Sequence, residues 1–141
     1  MAVCRKRPTL MKAVVMLSET RDMLILDPTP QAPEVARQFL RTRFARWGLD
    51  DYDGQLVVSE LVTNALLHGA GAIVVRVFQD EHSCLSKVEV TDKGVGRPVL
   101  RPPNYALSSG RGLSIVAALA HAWGVRPLPG GGKTVWALLP G

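Results

Sequence analysis

Between Asp53 and Thr91 the apolar residues change their period once, and that change constrains the fold more than any other feature of the chain. From Gly54 to His68 they fall at Val57, Val58, Leu61, Val62, Ala65 and Leu66, the recurrence of one buried helical face. Asp53 is the expected N-cap, and Gly69 and Gly71 end the run. Two β-rich runs follow, Ala72–Phe78 and Leu85–Thr91, separated by Gln79–Ser83. A connection that short joins antiparallel neighbours, because a parallel pair needs a crossover of a dozen or more residues. A helix with one apolar face, followed directly by a hairpin, buries that face against one side of the sheet.

The flanking segments fit the same plan. Met23–Leu26 reads as a short strand closed by Pro28, Pro30 and Pro33. Glu34–Trp47 carries a helical stripe at Val35, Phe39, Leu40, Phe44 and Trp47 and stops at Gly48. Residues 94–110 are rich in Gly, Pro, Ser and Arg and read as a long loop. Gly112–Trp123 is a third expected helix, with Leu113, Val116, Ala117 and Ala120 on one face. Gly124–Leu128 and Thr134–Leu139 are expected strands on either side of Pro129-Gly130-Gly131-Gly132. The expected fold class is α+β, a single-domain sandwich with helices on one face of a mostly antiparallel mixed sheet. Residues 1–22 carry no clear periodicity and are expected to form a partly disordered amino-terminal segment ahead of a domain spanning 23–141.

Composition narrows the function classes. The 141 residues suffice for one core, and 47% hydrophobic against 21% charged is the balance of a folded globular chain. The apolar run Ala13–Leu17 is confined by Lys12 and Glu19, short of a signal-peptide core, so a cytoplasmic location without membrane association is expected. Cys4 and Cys84 fit no metal spacing and are expected to be reduced. The net charge of +5 is concentrated on no helix or strand, and no basic run is interleaved with aromatics. Direct nucleic-acid binding is therefore not expected.

Several familiar motifs fail on inspection. Gly132-Lys133-Thr134 resembles the end of a phosphate-binding P-loop, but Pro127 stands where the first glycine belongs and a strand follows instead of a helix. Gly94-Val95-Gly96 and Gly110-Arg111-Gly112 do not complete a dinucleotide fingerprint, because Val99 and Ile115 occupy the sixth positions. His68, His82 and His121 have no ligand spacing, which argues against zinc.

Three short motifs survive. Glu60, Asn64 and His68 share one face of the second helix. Alone, that pattern describes an amphipathic helix with a solvated stripe better than it describes a site. Asp92, followed by Gly94 and Gly96, is either a tight turn or a carboxylate that accepts a base amino group where glycines let the backbone approach. Ser108-Ser109-Gly110-Arg111-Gly112-Leu113 opens a helix, either capped by Ser109 or offering backbone N–H groups to an anion.

In this order and at these intervals, the three motifs resemble the N, G1 and G2 boxes of the GHKL ATPase superfamily, whose fold is of the Bergerat type. Phe39-Leu40, Trp47-Gly48-Leu49, Ser59 to Ala65, Gly110 to Leu113 and Gly131 to Trp136 resemble its anti-sigma-factor serine/threonine-protein kinase branch, abundant in actinobacteria. The resemblance spans roughly residues 24–140. It implies ATP and Mg²⁺ as cofactors, with Asn64 as metal ligand and Glu60 as catalytic base. It further implies that Asp92 recognises adenine, that Gly94 and Gly96 shape the pocket wall, and that Gly110, Arg111, Gly112 and Leu113 form the phosphate loop. Thr134 would reach the base directly or through water, and residues 97–109 would form a lid. The implied partners are a sigma factor and an anti-sigma-factor antagonist, the latter as protein substrate; homodimers are common among such proteins. A non-catalytic ATP-responsive protein-binding module is the alternative, and His68 receives no chemical role.

Overall fold

A computed structural model of the protein describes residues 23–94 and 108–140, with the backbone alone for 108–112. The elements among them run β1 (Met23–Leu26), α1 (Ala32–Trp47), α2 (Tyr52–His68), β2 (Ile73–Gln79), β3 (Ser86–Asp92), α3 (Ser108–Leu119), β4 (Ala122–Pro127) and β5 (Lys133–Leu139). The strands form one five-stranded sheet in the order β1-β2-β3-β5-β4. Each neighbouring pair in it is antiparallel. The α+β architecture with a helix-covered sheet is thus as the residue pattern implies.

Strand alternation decides what the sheet buries. Val75 and Val77 on β2, Val88 and Val90 on β3, and Val135, Ala137 and Leu139 on β5 point to the helices and are almost fully buried. Against them pack Val57, Val58, Leu61, Val62 and Ala65 of α2, with Ala36, Leu40 and Phe44 of α1 behind. Gly54 lets the two helices approach: a Cβ there would stand 3.0 Å from Leu40 Cδ2 and 3.1 Å from Phe44 Cε2. Helix α1 ends in a Schellman-type turn, where Gly48 N–H donates to the Ala45 carbonyl at 3.2 Å and Leu49 N–H to that of Phe44 at 3.0 Å.

Several boundaries differ from the expected ones. Helix α2 starts at Tyr52, so Asp53 lies in its first turn and is not the cap. Asp50 Oδ1 instead accepts the Tyr52 N–H at 2.8 Å, and Asp51 Oδ1 accepts from Gln55 Nε2 at 2.8 Å. Helix α3 starts at Ser108 rather than Gly112 and stops at Leu119, and Trp123 belongs to β4. The β2–β3 connection is closed by Asp80, whose carboxylate accepts from the Ser83 N–H at 2.9 Å and hydroxyl at 2.8 Å. Those bonds hold the Asp80 carboxyl below its ordinary pKa. Cys84 adopts φ 61° in this turn, and Cys4 lies outside the described residues. So do the amino-terminal segment 1–22, Gly96 and most of the expected lid. Among the described residues, no helix is long and apolar enough to cross a membrane.

Candidate nucleotide-binding site

The apolar face of α2 carries one buried polar residue, Asn64. It is 5% exposed, and its Oδ1 has no hydrogen-bond partner among the described residues. An unpartnered buried carbonyl costs about 1–3 kcal/mol, so it calls for a partner, such as a cation or a ligand N–H. One helical turn earlier, Glu60 is half-buried and has no ion-pair partner among the described residues. Burial with no cation beside it pushes its carboxyl above the ordinary value of 4.5. A carbonyl ligand and a strengthened base therefore share one helix face, a pairing suited to holding a hydrated Mg²⁺ and taking a proton nearby. His68 ends the stripe in the last turn of the helix, exposed, and no contact gives it a role.

The β3 terminus supplies the second part. Asp92 is buried, and its Oδ1 accepts the Gly94 N–H at 2.6 Å. Glycines crowd it on several sides. A Cβ on Gly69 would stand 2.5 Å from Asp92 Cγ, one on Gly94 would stand 2.9 Å from Asp92 Oδ1, and one on Gly132 would stand 2.5 Å from the Asp92 carbonyl. The backbone is thus drawn against this carboxylate as no other residue type would allow. Opposite it in the β3–β5 register stands Lys133, with Nζ 3.0 Å from Oδ2 and 3.1 Å from Oδ1.

Two of these residues were not foreseen as part of the site. Gly69 reads in the sequence as a helix terminator. Lys133 reads as a fragment of a failed P-loop. Only the pairing of β3 with β5 brings Lys133 to Asp92.

Thr134 lies on the other side of the sheet. It pairs in register with Thr91, and the two hydroxyl oxygens are 2.6 Å apart. Side chains alternate along a strand, so Thr134 faces away from Asp92 and Lys133. Of the glycine loop, Gly110 falls in the first turn of α3, where backbone N–H groups lack intrahelical acceptors; Arg111 and Gly112 follow it within the helix. Leu113 is buried in the core. Helix α3 packs against α2, the helix that carries Asn64.

The family model for histidine kinase-, DNA gyrase B- and HSP90-like ATPases matches residues 50–141, which includes every element built into this site. The chain belongs to that family. The crystal structure of the RsbU and RsbW domains of Rv1364c from Mycobacterium tuberculosis is similar to it, with a TM-score of 0.62 and 25% sequence identity. That similarity covers 84% of this chain and 32% of the mycobacterial one, so the chain spans about a third of the protein it matches. The histidine kinase domain of the Erythrobacter litoralis EL346 blue-light activated histidine kinase matches at a TM-score of 0.43 and 30% identity, over 62% of this chain and 43% of that one. No curated protein matches the chain.

Proposed function

We propose that the protein binds ATP with Mg²⁺ and acts as a serine/threonine-protein kinase that is also an anti-sigma factor in a partner-switching system. The observation that carries the reading is the unpartnered Asn64 Oδ1 one helical turn from a Glu60 that has no cation beside it. Membership of an ATPase family and similarity to a structure containing an RsbW domain support it. Asn64 Oδ1 would hold the Mg²⁺ with water and phosphate oxygens as the other ligands. When bound, the ion neutralises phosphate charge. Asp92 accepts a hydrogen bond from the adenine amino group, Gly94 and Gly96 line the base, and Thr134 supports that end of the site from the strand next to β3.

The amides around Gly110 and Gly112 hold the phosphates, with Arg111 adding a charge-assisted bond and Leu113 anchoring the turn in the core. Glu60, a stronger base for its burial, would take the proton from the serine or threonine hydroxyl of an antagonist protein as that oxygen bonds to the γ-phosphorus, while the bond from that phosphorus to the β–γ bridging oxygen breaks and ADP leaves. The sigma factor and the antagonist are the partners this reading requires. The sealed setting of Asp92 also suits a non-catalytic module in which ATP rearranges the pocket and tunes affinity for a partner. Labelled ATP, Mg²⁺ and candidate antagonists separate the two. Transfer by the wild type that is lost in Glu60→Ala supports the kinase; ATP binding with equal inertness of both proteins would leave only the module. Unchanged Mg²⁺-dependent ATP affinity in Asn64→Ala would remove the metal assignment.

A further inference from the structure

Asp92 is sealed. Its side chain is 1% exposed and that of Lys133 4%. Oδ1 is taken by the Gly94 N–H at 2.6 Å and by Lys133 Nζ at 3.1 Å, and Oδ2 by the same Nζ at 3.0 Å. Among the described residues the other walls are backbone, since Gly69 and Gly94 stand so close that a Cβ on either would fall within 2.9 Å of an Asp92 side-chain atom. A ligand donor therefore reaches this carboxylate only if one of the surrounding groups yields. The glycine backbones are held by a helix end and by strand pairing, with Gly69 N–H bonded to the Ala65 carbonyl at 2.8 Å and Lys93 N–H to the Ala70 carbonyl at 3.0 Å. Lys133 is the one flexible arm among these walls.

We propose that Lys133 is a specificity-determining residue that stands in for the base amino group. In this structure its ammonium holds both carboxylate oxygens of Asp92. The amino group of adenine displaces it, so base recognition is an exchange of one donor for another. This inference rests on the ATP reading above and assigns the lysine a role within it. An exchange gains less than pairing with a free acceptor, because the lysine already satisfies Asp92. The lysine thus weakens nucleotide binding, and it does so only for bases that carry the amino group.

The test compares ADP with purine riboside 5′-diphosphate, which lacks the amino group, by calorimetric titration of wild type, Lys133→Thr and Lys133→Arg. Lys133→Thr is expected to bind ADP about tenfold more tightly, with the analogue changed less than about twofold. Lys133→Arg, which grips a carboxylate through a two-pronged contact, is expected to weaken ADP about fivefold and leave the analogue unchanged. A fall in ADP affinity in Lys133→Thr, or equal shifts for both nucleotides, overturns the proposal. If Lys133→Thr does not fold, Lys133→Arg decides, and an unaltered ratio of the two affinities overturns it. Wild type that binds neither nucleotide defeats the ATP reading itself. Wild type that binds ADP while both variants keep its ratio to the analogue defeats the lysine proposal alone.

Discussion

Strand β3 carries two acids beside cations, one on each face of the sheet, and they differ in almost everything else. Glu89 faces away from the helices, with Arg76 at 3.3 Å, Lys87 at 3.6 Å and Arg126 at 3.7 Å. The side chains of those cations are 43%, 21% and 54% exposed, so solvent and salt compete for each. Arg76 also lies over Phe78 and Lys87 over Trp136, each with its charged group above the aromatic ring. Asp92 has, among the described residues, a single cation, enclosed with it under the helices. The Glu89 side chain is itself 7% exposed, but its three cations reach water and stay solvated when it is removed, whereas a dry pair has no substitute for either partner. The abundance of charge at Glu89 thus marks a structural surface, and its scarcity at Asp92 marks the site.

Asp92→Asn breaks the comparison hardest. It leaves Lys133 buried without a counter-charge, and the expected loss of stability is about 3–5 kcal/mol by urea denaturation. In the folded fraction, ATP affinity is expected to fall about a hundredfold or more. Stability within error of wild type would mean that the pair is not sealed. Gly69→Ala is expected to cost about 1–3 kcal/mol by crowding Asp92 and the Ala65 carbonyl, with no charge altered. If that variant is as stable as wild type, the glycine approach is dispensable. Glu89→Gln is expected to cost about 1 kcal/mol or less, to lose most of that difference in about 0.5 M salt, and to leave ATP affinity unchanged. A large, salt-independent loss would erase the contrast between the faces.

Glu60 supplies the limiting case, an acid with no cation partner among the described residues. Its carboxyl is raised above 4.5 by burial, so its ionisation is disfavoured in the folded protein. The associated stability is fully present below 4.5 and is lost as pH rises through the folded-state value. Partial exposure makes this the smallest of the expected effects. Denaturation midpoints of Glu60→Gln should lack that decline, and a parallel pH profile for variant and wild type would refute the assignment.

Much of this was legible because it is local. The hairpin, α1 and the apolar face of α2 follow from periodicities within single segments, and Glu60 and Asn64 share a face by spacing alone. The start of α2 was not, because Asp50, Asp51 and Asp53 are all good capping residues and tertiary packing chose among them. The start of α3 at Ser108 differs from the expected Gly112 because Ser108, Ser109 and Gly110 look like loop residues, although a helix first turn tolerates them. Lys133 was invisible for a different reason. Its meaning depends on which strand lies beside β3, and no segment records its neighbour. The face that Thr134 takes is fixed by the same pairing, since alternation sends consecutive residues to opposite sides once Lys133 points at Asp92.

The strand order has a consequence for how the chain reaches this state. Strand β5 is the last strand described, yet it lies between β3 and β4. Until it is in place, β4 has no strand to join and Asp92 has no lysine. During synthesis the first four strands and the helices can emerge with the site half-made, its acid facing an open slot. A chain ending after Gly132 is expected to keep the β1–β2–β3 meander yet bind no nucleotide. Closure of the sheet and completion of the site are a single event, contributed by the final strand.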